Sequence, residues 1–114
     1  MIHMIDADTL DQITQRLIDA APQGSQIILF GSFARGQAGP DSDLDFLVIE
    51  PEVKDRHGEM VRLRDAIRPI PAPVDILVTT RATFEKWREM PNSALYQAAK
   101  EGRVVHGDLG RARR

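Results

Sequence analysis

A chain of 114 residues has the size of one domain, and 42% hydrophobic residues suffice for one modest core, mostly aliphatic because the aromatics are four Phe, one Trp and one Tyr. The absence of cysteine excludes disulfides and thiolate metal sites and fits a reducing, cytoplasmic setting. A net charge of −2 supplies no basic footprint for nucleic acid, no apolar run approaches a membrane span, and the N-terminus turns polar too early for a secretory signal.

In chain order, Leu10, Ile13, Leu17, Ile18 and Ala21 follow helical spacing, with Asp8 or Thr9 as the expected N-cap. Pro22 to Gly24 ends that helix. The apolar run Gln26–Phe30 predicts a first strand, and Ser32–Gly36 a short helix after it. The segment QAGPDS is rich in turn residues and predicts a loop. A second strand is expected over Leu44–Glu50. Met60, Val61, Leu63 and Ile67 mark a helix within HGEMVRLRDAIRPI, and a third strand follows over Val74–Val78. TRATFEKWREM predicts a helix with Phe84 and Trp87 turned inward, ended by Pro91. SALYQAAKEG predicts a last helix with Ser93 as N-cap and Gly102 as the C′ residue. RVVHG adds a short edge strand, and residues 108–114, with their RARR sequence, are expected to form a mobile tail. The whole, residues 1–114, reads as a single α/β domain: a small mixed sheet of three to four strands flanked by helices.

Chemistry concentrates at three places. The first strand stops at Gly31-Ser32, where a residue without Cβ lets backbone approach a ligand and the amides opening the next helix can face an anion. Ten residues separate Ser32 from Asp43-Leu44-Asp45. Strand alternation puts Asp43 and Asp45 on one face with Leu47 and Ile49, and Leu44, Phe46 and Val48 on the other. Two neighbouring carboxylates are costly unless a cation joins them, and Mg²⁺ takes oxygen ligands from carboxylates and substrate phosphates. Asp75, near the start of the third strand, adds a third carboxylate. Such a set suits metal-assisted phosphoryl transfer, with two cations serving the attacking hydroxyl and the leaving group. A common site requires the first two strands to run antiparallel and the second and third parallel, joined through a helix.

Gly31-Ser32, the spacer carrying Ala34-Arg35-Gly36, Ser42-Asp43-Leu44-Asp45 and Val74-Asp75-Ile76 together resemble the nucleotidyltransferase superfamily that includes DNA polymerase β. Within it the chain is most similar to the minimal nucleotidyltransferases, or MNT proteins, from about Leu10 to Gly107. The resemblance implies a polymerase β-like nucleotidyltransferase fold. It implies that Gly31 and Ser32 hold the nucleotide triphosphate, that Asp43 and Asp45 bind two Mg²⁺ ions, and that Asp75 ligates metal and helps activate the acceptor hydroxyl. Many relatives carry a basic residue directly after the Gly-Ser pair. Phe33 stands there in this chain, which leaves Arg35 as the nearest cation for the phosphates.

The resulting expectation is transfer of AMP from ATP to a hydroxyl. Larger relatives add a domain that shapes the acceptor pocket, so another molecule is expected to supply the acceptor. The resemblance implies a HEPN-domain toxin as that partner, in a toxin–antitoxin pair. The alternative is a catalytically weak binding module that neutralises its partner by docking. Other residues receive bland readings. His3, His57 and His106 are taken as surface residues, Tyr96 as helix packing, and Arg62, Arg64 and Arg68 as a solvated helix face.

Overall fold

The structure is a computed structural model describing residues 6–31 and 43–107. The expected helix and loop after Gly31, with Ser32 and Arg35, lie outside the described residues, as do His3 and the C-terminal tail. Helix α1 (Ala7–Ala20) leads into β1 (Gln26–Phe30), then β2 (Leu44–Glu50), α2 (Arg56–Ile67), β3 (Val74–Thr80), α3 (Arg81–Trp87), α4 (Ala94–Glu101) and β4 (Arg103–His106). The strands form one mixed sheet in the order β3-β2-β1-β4. β1 runs antiparallel to β2 and to β4, while β2 and β3 run parallel, as a shared site requires.

The sheet is buried on both faces because its strands are nearly continuous aliphatic runs. On one face Ile27, Leu29, Leu44, Phe46, Val48, Val74, Ile76 and Val78 pack against Ile13 and Leu17 of α1 and Leu63 and Ile67 of α2. On the other face Ile28, Phe30, Leu47 and Ile49 meet Phe84 of α3 and Ala98 of α4. Each fully buried aliphatic contributes roughly 1.5–3 kcal/mol relative to exposure. The two inward stripes therefore hold the strand register that positions the acidic residues.

Several local expectations change. Asp6, rather than Asp8 or Thr9, caps α1, its carboxylate accepting from the Thr9 amide at 2.8 Å. The helix begins at Ala7, three residues before Leu10 opens its apolar stripe, so Asp8 falls in the first turn, where the dipole favours an acid. Val61 is exposed, since Met60, Leu63 and Ile67 already define the inward stripe and position 61 turns away. Trp87 is 40% exposed. As the last residue of a seven-residue helix it overhangs an apolar groove with Leu47, Leu77 and Leu95, and Phe84 alone reaches the core. Gly102 follows α4 in an extended conformation rather than a left-handed one. Its reason is close approach: a Cβ there would lie 2.3 Å from Ile28 Cγ2 and 2.4 Å from the Ala98 carbonyl oxygen.

Candidate functional site at the Gly31 end of the sheet

β1 ends at Phe30, whose register partner on β2 is Asp45. Asp45 in turn pairs in register with Asp75 on β3. Adjacent strands lie about 4.8 Å apart, so the two carboxylates sit side by side on one face. A backbone hydrogen bond from the Leu44 amide to the Pro73 carbonyl, 2.9 Å long, ties the starts of the two parallel strands together. Val74 and Ile76 are anchored in the core on the opposite face, which turns Asp75 outward.

Gly31 closes the third side. Its φ of +82° is disfavoured for side-chain-bearing residues. A Cβ on it would lie 2.2 Å from Asp45 Oδ2, so the missing side chain is the space the Asp45 carboxylate uses. Gly31, Asp45 and Asp75 line one cleft of about 620 Å³, together with Arg64 of α2 and Gln97 of α4, over an apolar floor that includes Phe30 and Leu77.

Asp43 is exposed and precedes the first ladder residue, Leu44. It flanks the cleft without lining it, because strand pairing fixes Asp45 and leaves position 43 outside the ladder. Among the described residues no three acidic, histidine or cysteine side chains are close enough together to hold a metal ion. The structure therefore brings Asp45 and Asp75 to one cleft and leaves Asp43 at its margin.

Arg64 is exposed, as the solvated-face reading expects, but it has a contact across to β3 that the sequence did not show. Its guanidinium Nη2 lies 4.0 Å from Asp75 Oδ1, which sets it apart from Arg62 and Arg68 on the same exposed face. Those two pair locally, Arg62 with Glu59 at 2.6 Å and Arg68, just past the end of α2, with Asp65. The available signal was spacing: Arg64 stands four residues after Met60 and one after the buried Leu63, at the border of the inward stripe beside β3. His57 and His106 are exposed and lie away from the cleft.

A second polar cluster occupies the opposite end of β2. Glu50 is 2% exposed, and its Oε2 has no hydrogen-bond partner among the described residues. Burial, then a hydrogen bond and the like charge of Glu59, push the Glu50 carboxyl up to about 8. Glu59 is held below its ordinary value, first by hydrogen bonding from Arg62 and then by Glu50. The two shifts run in opposite directions, so of this pair Glu50 holds a proton more readily and Glu59 the charge.

The chain belongs to the nucleotidyltransferase domain family, whose model matches residues 10–106. No curated protein matches it. Among solved structures it is similar to a toxin–antitoxin complex crystallised with AMP-PNP, at 23% identity and a TM-score of 0.58, over 89% of this chain and 75% of that one. It is also similar to the complex of a tri-AMPylated Shewanella oneidensis HEPN toxin with an MNT antitoxin, at 19% identity and a TM-score of 0.51, over 90% of this chain and 73% of that one. A third likeness is to a spectinomycin adenyltransferase from Enterococcus faecialis with ATP and spectinomycin. There identity is 19% and the TM-score 0.58, over 91% of this chain and 56% of that one. At these identities the likenesses establish the fold. No helix among the described residues is long and apolar enough to cross a membrane.

Proposed function

We propose that this chain is a Mg²⁺-dependent nucleotidyltransferase that moves AMP from ATP to a hydroxyl side chain of a partner HEPN protein, within a toxin–antitoxin pair. The observation that carries the reading is the in-register pair Asp45–Asp75 facing Gly31 across one cleft. Family membership supports the reaction class. Fold likeness to an AMPylated HEPN toxin with its MNT antitoxin supports the partner and the adenylate.

The donor set fits the cation. Carboxylate oxygens on adjacent strands suit a hard divalent ion, and the missing side chain of Gly31 leaves the space that Asp45 Oδ2 occupies. Asp45 and Asp75, with Asp43 from the margin, would hold Mg²⁺, which supplies charge neutralisation at the phosphates and acidifies the attacking hydroxyl. Gly31 and Ser32 would bind the triphosphate through backbone and hydroxyl, with Arg35 beside it. Asp75 accepts the proton of the acceptor hydroxyl at its exposed carboxylate. The acceptor oxygen bonds to the α-phosphorus, the bond from that phosphorus to the α–β bridging oxygen breaks, and pyrophosphate leaves.

Incubating the chain with Mg²⁺, ATP and the protein encoded beside it should add one adenylate mass per modified site on that partner. Asp75→Asn should abolish the addition while nucleotide still binds. The second reading, docking without chemistry, draws on the apolar groove beneath Trp87 and on exposed Met90. A partner that binds tightly and stays unmodified by wild type establishes that reading instead.

A further inference from the structure

We propose that Arg64 is a transferable counter-ion of the nucleotide cleft: it holds Asp75 while the site is empty and passes to the phosphates when a divalent cation takes its place. The inference rests on the nucleotidyltransferase reading and assigns a further positioning residue to that site.

Three observations carry it. Among the described residues lining the cleft, Arg64 is the single cationic side chain. Its Nη2 stands 4.0 Å from Asp75 Oδ1, and both side chains are more than half exposed, at 54% and 63%. A pair that long and that wet contributes little to stability, so scaffolding the fold does not account for it. By contrast, Arg62 is bound to Glu59 by two hydrogen bonds of 3.0 and 2.6 Å, and Arg68 is bound to Asp65. Both are neutralised by an acid three residues earlier, while Arg64 alone of the three reaches across to β3.

The chemistry follows from competition for one carboxylate. A divalent cation and a guanidinium beside Asp75 repel each other and draw on the same oxygens, so binding of one weakens the other. Displaced from Asp75, Arg64 remains on a long arm at the mouth of the cleft. Its planar fork of donors matches a phosphate better than an ammonium would. The residue therefore lowers affinity for the bare metal and raises affinity for the metal–nucleotide complex. A residue that only braced Asp75 would shift both affinities in the same direction.

The test compares wild type, Arg64→Gln and Arg64→Lys by two titrations. Mn²⁺ alone is followed by electron paramagnetic resonance, and Mg²⁺ with AMP-PNP by calorimetry. Arg64→Gln should bind Mn²⁺ several-fold more tightly and the nucleotide several-fold more weakly, with Arg64→Lys between it and wild type. Unchanged affinities, or two shifts of the same sign, in a protein whose wild type binds both ligands would overturn the role of Arg64 alone. A wild type that binds neither ligand overturns the nucleotidyltransferase reading, and this inference with it.

Discussion

Gly31 and the Asp45 carboxylate compete for one small volume, and only a residue without Cβ resolves the competition. The separation of 2.2 Å between a built Cβ and Asp45 Oδ2 means that any substitution must displace the carboxylate. The φ of +82° adds backbone strain, on the order of 1–3 kcal/mol for a residue other than glycine. Gly31→Ala should lower unfolding stability by about that amount in urea titrations, and it should weaken Mn²⁺ binding as well. A variant as stable as wild type that also binds Mn²⁺ equally would show that the turn tolerates a side chain and that Asp45 lies elsewhere. Sequence alone marked Gly31 as a place where phosphate approaches closely. The contact with Asp45 became visible only through register, because Phe30 and Asp45 are opposed across two antiparallel strands. Arg64 was hidden for a related reason. Its partner is on β3, eleven positions along the chain, and helix periodicity describes only the face a residue presents.

Strands were the most legible elements. β2 spans the predicted Leu44–Glu50, since its aliphatic alternation is interrupted only by Asp45 and ends at a proline. The parallel pairing of β2 with β3 followed from requiring three acids to meet one ligand, and the pairing is present. Helix ends were less legible because several polar residues could serve as caps, and Asp6 prevailed over Asp8. Trp87 was misassigned because α3 is too short to bury two large aromatics. Glu50 was read as nothing more than a strand terminus. Its burial depends on α2 returning Glu59 and Arg62 beside it, a tertiary arrangement with no local signature.

That junction between β2 and α2 makes stability depend on pH. Burial raises the Glu50 carboxyl from the ordinary carboxylate range to about 8 in the folded protein, so the folded state keeps a proton that the unfolded state has lost. The stabilisation is fully present below the unfolded value and fades as pH rises toward 8, with a total on the order of a few kcal/mol. Glu59 acts in the opposite sense, since its lowered carboxyl contributes stability above its ordinary value and loses it in acid. Thermal melts should therefore show wild type less stable at pH 8.5 than at pH 5.5. Glu50→Gln keeps a neutral donor in the same place and should flatten that decline. Equal slopes in both proteins would mean that Glu50 is ionised in the fold.

Over the whole molecule the sheet separates two jobs. The Gly31 end carries the acidic cleft, while at the far end of β2 Glu50 is buried beside Glu59 and Arg62. Between them the two apolar faces keep β1, β2 and β3 in fixed register, so Asp45 and Asp75 remain aligned without contributing to the core. The apolar groove under Trp87 adjoins the cleft through Leu77, which lines both.

The central claim is that this cleft binds nucleotide through its carboxylates and a divalent cation. Calorimetric titration of AMP-PNP into wild type and into Asp45→Asn/Asp75→Asn, each with Mg²⁺ and with chelator, addresses it directly. Saturable binding by wild type only when Mg²⁺ is present, lost in the double variant while that variant keeps its fold, is the predicted result. Such binding should also stabilise wild type by about 2.7 kcal/mol at a hundred times the dissociation constant. No binding by wild type, or equal binding by the double variant, would contradict the account.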